Sequence, residues 1–341
     1  MSWGLCELLV LRSRQAAPED AAETAHLADL AVHVADLIPG GEPFEEQWVY
    51  QLRSLAWSAL GNAHKVQGDL SGAERSFEIA DSWWGAGNVG SEDALGYEPH
   101  LLVLKAPLRI AQRRFREALD LLDRAVTLFL DGQPEHRAPH FAGRTLISKA
   151  ATLIELGESE SAIQVLTKAS GLIDPERDPR LLLCVRHNLA DNLSKMARHP
   201  EAAALLPDLR ELAAAHGSTL DHLRLCWVEG RVAAGLGDHD RSRRLLSDVR
   251  QTFLTDGNVY EAALATLDLV IPYLKEGRTA EVRELADDMV TVFRDHAVAR
   301  EALAALLLFQ EAARRETATA ELAREVAASL SRMRGGDAKL P

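Results

Sequence analysis

Two short stretches of this sequence hold most of the side chains that could grip a ligand. The first is His187, Asn188, Asp191 and Lys195. The second, forty residues on, is Arg224, Trp227 and Arg231. Asparagine both donates and accepts hydrogen bonds, so Asn188 can hold the backbone of an extended peptide. Arginine can take a carboxylate with two parallel hydrogen bonds, and the face of Trp227 suits an apolar side chain. This is the chemistry of recognition. The competing reading is that Asp191 and Arg231 pair with each other, Trp227 packs between helices and His187 is satisfied locally.

Residues arranged for covalent chemistry are harder to find. The sequence has no Gly-x-Ser-x-Gly elbow, Walker loop or His-Glu-x-x-His, and Asp287-Asp288 and Glu158 with Glu160 fall in turn or exposed-helix patterns. Gly85 to Gly90 spells G-x-G-x-x-G. The dinucleotide use of that motif needs a strand before it and a helix after it. Here a helical pattern precedes it and Ser-Glu-Asp follows, so an inter-repeat loop is expected. His136 and His140 have the spacing of a zinc pair on a helix, but Pro134 and Pro139 break helix there and no third ligand is near. Cys184 and Cys226 read as small buried hydrophobes. No enzyme, cofactor or metal is expected.

The net charge of −13 argues against a general nucleic-acid binder and against binding to anionic membrane surfaces. No apolar run approaches the roughly 20 residues of a spanning helix. The first residues carry no basic leader before their short apolar run, so no signal peptide is expected. Three widely spaced cysteines, Cys6, Cys184 and Cys226, suit a reducing cytoplasm.

Positioning falls to helices. The chain is 47% hydrophobic but only 5% aromatic, dominated by Ala and Leu, a composition that favours helix throughout. Ser2–Arg14 and Asp20–Leu37 read as the first two helices, stopped by Pro39-Gly40-Gly41. Pairs follow over Glu45–Trp84, Pro99–Leu130, the stretch from Pro139 to Ile173, Arg180–His216, Leu220–Leu254, Tyr260–Phe293 and Val298–Met333, with a frayed tail from Arg334. Pro107 and Pro272 fall inside helical patterns and are expected to bend or shorten them. Arg109, Arg113, Arg114 and Arg116 form a basic cluster expected to pair with Glu117, Asp120 and Asp123 on a solvated face. The first helix is apolar from its start at Trp3, Leu5, Leu8 and Leu9, which leaves open a piece cut from a longer protein, a packing surface for a second copy or partner, or Trp3 folding back on the next pair.

The stretch Ser54–Ala80 is the most specific. Trp57, Leu60, Gly61 and His64 share one helical face, Gly68 marks a turn, and Ala73, Phe77 and Ala80 form the apolar face of the next helix. This resembles a tetratricopeptide repeat (TPR), with His64 where an aromatic is usual. Gly61 and Ala73 would let two antiparallel helices approach closely. Gly61, Ala106, Ala150, Ala190, Gly230 and Val270 take equivalent close-contact places, in steps of 45, 44, 40, 40 and 40 residues. An ordinary TPR steps by about 34, so the chain is similar to the long-hairpin TPR-like arrays of bacterial regulatory proteins.

The resemblance implies an all-α, right-handed superhelical solenoid of about seven or eight antiparallel helix hairpins, spanning 1–341. Its N-terminal helices would be 1–43, its best TPR unit 44–97, further pairs 98–334 and a tail 335–341. It also implies that first helices line a concave groove, which places Asn62, Lys65 and Arg144 there beside His187, Asn188, Asp191, Lys195, Arg224, Trp227 and Arg231. The carboxylate clamp of some TPR proteins is not matched: Asn62 fits, but Ser58 and Leu104 replace the Lys and Asn that it needs. The expected function is a cytoplasmic, non-enzymatic scaffold that binds a protein or peptide in that groove. The alternatives are a peptide-sensing module of a larger bacterial regulator and a self-associating array that dimerises through its first helix.

Overall fold

Seven residues after each of those close-contact positions, the chain makes the same left-handed turn. In the computed structural model Gly68, Arg113, Gly157, Ala197, Gly237 and Gly277 have φ between 59° and 88°, and Glu316 at the last hairpin has φ 58°. The steps between them are 45, 44, 40, 40, 40 and 39 residues, so the register legible in the sequence is the register of the fold. The residue after each turn residue donates its backbone N–H to the carbonyl five positions earlier, at 2.8 to 3.0 Å. This closure satisfies carbonyls that a helix end leaves open.

The structure describes residues 2–41, 44–87, 96–131, 137–295 and 300–337. Among them are sixteen helices: α1 (Trp3–Ala16), α2 (Ala21–Asp36), α3 (Glu46–Val66), α4 (Leu70–Gly87), α5 (Glu98–Ala111), α6 (Phe115–Asp131), α7 (Pro139–Glu155), α8 (Ser159–Leu172), α9 (Pro179–Lys195), α10 (His199–His216), α11 (Thr219–Leu236), α12 (His239–Thr255), α13 (Val259–Lys275), α14 (Thr279–Asp295), α15 (Arg300–Arg314) and α16 (Ala320–Asp337). They make an all-α array of eight hairpins. None of these helices is long and apolar enough to cross a membrane.

Contacts divide the chain into two units that meet at Asp174 and Pro175. In the first unit, α1 to α8, the anticipated α3–α4 packing is present. Ala73, Phe77 and Ala80 are buried, and a Cβ added at Gly61 would lie 2.9 Å from the Phe77 ring, which is the close approach the glycine permits. The first helix is built into this unit: Trp3 stacks near Phe44 with centroids 5.2 Å apart and donates to the Tyr97 hydroxyl, while Cys6 and Val10 are buried against α2 and α3. Trp3 does fold back on the following pairs.

In the second unit, Ser218 and Asp221 form a capping box at the start of α11, and Asp178 and Asp238 cap α9 and α12. The array does not end as it began. α13 packs against α14 and α16, and α15 packs against α14 and α16, so the last two hairpins close into a four-helix bundle around Leu267, Phe293, Phe309 and Leu330.

One expectation needs correction and another needs extension. Gly85 to Gly87 continue α4 instead of forming a loop, because the preceding helical register carries through them; Asn88 to Gly90 lie outside the described residues. Pro107 and Pro272 lie inside α5 and α13, which run on to Ala111 and Lys275. The basic cluster pairs with Glu117 as expected and also finds partners beyond its own helix. Arg109 pairs with Glu74 of α4 as well as Glu117, Arg114 pairs with Glu117, Arg116 reaches Glu158, and Asp123 is taken by Lys149.

Candidate ligand-binding face

The first helices of three successive hairpins in the second unit, α9, α11 and α13, are joined by one hydrogen-bonded network. Arg231 of α11 is its centre. It donates to Asp191 of α9 and, at 3.3 Å, to Asp268 of α13. Trp227, one turn before Arg231, donates its indole N–H to the same Asp268 oxygen at 2.7 Å, and the Arg231 guanidinium lies 5.5 Å from the centre of the Trp227 ring. Lys195 completes the chain with a 2.8 Å ion pair to Asp191. The forty-residue step explains the contact: Asp191 and Arg231 each follow the close-contact residue of their hairpin, so neighbouring helices present them side by side.

Electrostatics follow from this packing. Burial acts to raise the Asp191 pKa, but Arg231 and Lys195 outweigh it and hold the carboxyl below its ordinary range. Burial likewise acts to lower the Arg231 pKa, and Asp191 and Asp268 reverse that. Asp191 and Arg231 are therefore both charged through the neutral range, in a contact largely shielded from water.

Around this floor stand side chains with unused hydrogen-bonding capacity. His187 Nε2 and Arg231 Nε are buried without a hydrogen-bond partner among the described residues. Burial lowers the His187 pKa, against the pull of Asp191. Arg224 is exposed and makes no ion pair among the described residues, while its neighbour Asp221 is used by Arg180 at 3.2 Å and by the cap of α11. Asn188, half-buried, directs its amide toward the Cys184 sulfur at 3.8 Å. Cys184 is exposed, not buried as its apolar surroundings in sequence suggested, and Cys226 is half-buried. The thiol pKa of Cys184 is raised, by crowding first, with Asp221 adding and Arg224 opposing. A raised thiol is a poor nucleophile.

The three remaining candidates belong to the first unit. Asn62 is buried, contrary to a groove position, because the α3 face that carries it packs inward. Lys65 is half-buried, and burial lowers its pKa. Arg144 is exposed. The structure thus brings His187, Asn188, Asp191, Lys195, Arg224, Trp227 and Arg231 onto neighbouring helices. Asp268 was not anticipated. Its signal was a lone acid in the apolar run Leu267-Asp268-Leu269-Val270-Ile271.

Of the proposed histidine pair, His140 is buried and its Nδ1 accepts the Asp174 backbone N–H at 3.4 Å, while His136 lies outside the described residues. Among the described residues no three His, Cys, Asp or Glu side chains converge as metal ligands.

No family model and no curated protein matches this chain. Solved structures do. A Rap protein complexed with competence and sporulation factor has a TM-score of 0.59 at 13% identity, over 96% of this chain and 87% of that one. A tetratricopeptide repeat protein from Parabacteroides merdae has a TM-score of 0.53 at 15% identity, over 82% of this chain and 98% of its own. The fold is TPR-like. A signal transduction ATPase with numerous domains from Pyrococcus horikoshii, which has a tetratricopeptide repeat sensor, matches the TPR-like array with a TM-score of 0.59 at 12% identity, over 97% of this chain and 52% of that protein.

Proposed function

We propose that this TPR-like array binds a peptide, or a peptide segment of a protein partner, on the α9–α11–α13 face and catalyses no reaction on it. The observation that carries this reading is the arrangement around Arg231. A rigid, charged floor tied across three helices is bordered by His187, Asn188 and Arg224, whose donors and acceptors are not consumed by it. An extended peptide offers the complementary groups, a backbone for Asn188 and a carboxylate for Arg224. The acidic net charge disfavours nucleic acid as the ligand, and three free cysteines suit a reducing compartment such as the cytoplasm.

A second reading makes the array the sensing part of a bacterial regulator. Its support is that one similar structure is a Rap protein solved with competence and sporulation factor and that the repeats of another are described as a sensor.

Panning a random-peptide phage library against the whole chain tests the binding face. Enriched peptides should bind the native chain and lose at least about tenfold in affinity to Asn188→Ala and Arg224→Ala, both of which leave the Arg231 network intact. Peptides that bind both variants unchanged, or a library that yields none, would overturn this face as the site.

A further inference from the structure

We infer that α16 occupies, within its own chain, a docking face for an amphipathic helix of a protein partner, and that the partner binds by taking the place of α16. The placement follows from the register of α9, α11 and α13. Ten and six residues before the left-handed turn of its hairpin, α9 carries His187 and Asp191, and α11 carries Trp227 and Arg231. At the same two places α13 carries Leu267 and Ile271, and one turn earlier Leu264 stands where α11 has Arg224. The row that is polar on two helices is apolar on the third.

On α9 and α11 this row faces the first helix of the next hairpin. Asp191 accepts from Arg231 of α11, and Trp227 and Arg231 both reach Asp268 of α13. On α13 the row meets α16 instead, while α15 packs on α14 and α16. Leu264, Leu267 and Ile271 are buried in one cluster with Ala323, Val326 and Leu330 of α16. The other side of α13 is accounted for by Ala262 and Ala265, which join Val249 and Phe253 of α12.

The pattern of α16 is that of a ligand helix. Ala323, Val326 and Leu330, spaced i, i+3 and i+7, are buried, while Glu321, Arg324, Glu325 and Arg332 on its outer face are exposed. Polar contacts join α14 to α15, where Asp287 accepts from Gln310 at 2.7 Å and pairs with Arg314 at 2.9 Å. Among the described residues, the side-chain hydrogen bonds of α16 stay within the helix and its cap. Ser331 donates to the Ala327 carbonyl, and the Leu322 N–H donates to Thr319. Apolar burial holds α16 on α13. That force is non-directional, and another helix with the same spacing can supply it.

A helix suits this row better than an extended chain. It satisfies its own backbone groups, whereas a row of Leu and Ile offers an extended chain no partner for its N–H and C=O. The tethered α16 competes at an effective concentration on the order of mM, so the face stays closed to weak ligands. The inference does not rest on the extended-peptide reading, which uses Asn188 and Arg224.

The probe is a fluorescein-labelled peptide of residues 319–334, followed by fluorescence anisotropy with the whole chain. The native chain should bind it weakly. The whole chain with Leu330→Glu, whose own α16 seats poorly, should bind it at least about tenfold more tightly, and a peptide with Leu330→Glu should bind neither. Amide exchange in the ¹⁵N-labelled native chain, read by NMR, does not depend on that variant folding. Unlabelled peptide at about 1 mM should speed exchange of the chain's own α16 amides at least about tenfold and leave α13 protected. Equal binding by the native chain and the variant, or α16 exchange unmoved by the peptide, would overturn the inference. Asn188→Ala and Arg224→Ala should leave peptide binding unchanged, which separates this face from the extended-peptide site, and a loss in both would overturn a distinct helix site. A native chain that is dimeric and becomes monomeric with peptide would overturn the partner in favour of the α16 of a second copy.

Discussion

Trp227 of α11 donates its indole N–H to the carboxylate of Asp268 on α13 at 2.7 Å, on the same oxygen that Arg231 reaches at 3.3 Å. One acid thereby fixes both the aromatic ring and the guanidinium of the candidate face. A hydrogen bond to a charged group contributes about 1.5–3 kcal/mol. A double-mutant cycle of Trp227→Phe and Asp268→Asn, read by urea denaturation, is expected to show a coupling on the order of 1 kcal/mol. Strictly additive effects would mean that the bond holds nothing together.

Arg109 is 7% exposed, and its Nη2 donates to Glu74 at 2.8 Å while Gln112 donates to the other oxygen at 2.8 Å. The Arg109 hydrogen bond, opposed by burial and helped by Gln112, brings the Glu74 pKa from 4.5 to about 2. The folded value is the lower one. The resulting stability is therefore fully present above the unfolded pKa, from about pH 5 upward, and is lost as pH falls toward 2. Glu74→Gln should cost on the order of 2 kcal/mol at pH 7, shrinking toward zero near pH 2. A cost independent of pH, measured by denaturation across that range, would contradict the pairing.

Ala197 occupies a left-handed turn at φ 59° where the equivalent hairpins have Gly157, Gly237 and Gly277. An alanine there meets its own backbone carbonyl at a cost of roughly 1–2 kcal/mol, which glycine escapes. Ala197→Gly should therefore stabilise the chain by about 1 kcal/mol, and Gly237→Ala should destabilise it by a similar amount. Thermal melts of the two variants moving in the same direction would refute the equivalence of these turns.

Leu5, Leu8 and Leu11 are 39%, 47% and 50% exposed on α1, while Cys6 and Val10 of the same helix are in the core. Deleting Met1–Arg14 is therefore a poor test of self-association, since it also removes Trp3 and that core. Leu8→Glu with Leu11→Glu changes only the outer stripe. If copies of the chain associate through it, light scattering at about 100 μM should give a dimer for the native chain and a monomer for the variant. A native chain that is monomeric there excludes association through α1 at that strength.

Much of the architecture was legible without coordinates because helix and turn are set by near neighbours in sequence. The steps between Gly61, Ala106, Ala150, Ala190, Gly230 and Val270 reappear in the turn residues seven positions on. Gly61 lies against Phe77 as the small-residue pattern required. Register also placed Asp191 beside Arg231, since equivalent positions on adjacent helices must meet. The misses were of another kind. Asn62 lies on the polar side of a local pattern yet is buried, Cys184 looks apolar yet is exposed, and Gly85 to Gly87 look like a loop yet extend α4.

The sequence by itself determined the all-α class, the hairpin boundaries, the turn positions and the register, all consequences of side-chain periodicity and backbone preference within a few residues. Tertiary structure alone decided which charges are consumed and which are left open. Asp268 joins Arg231 from 37 residues away, and Glu74 meets Arg109 from 35. It also decided that α16 turns back on α13 to close the last two hairpins. The reason is physical: an ion pair or a buried face depends on which helix lies opposite, and that choice is made by the packing of the whole unit, not by the residues beside it in the chain.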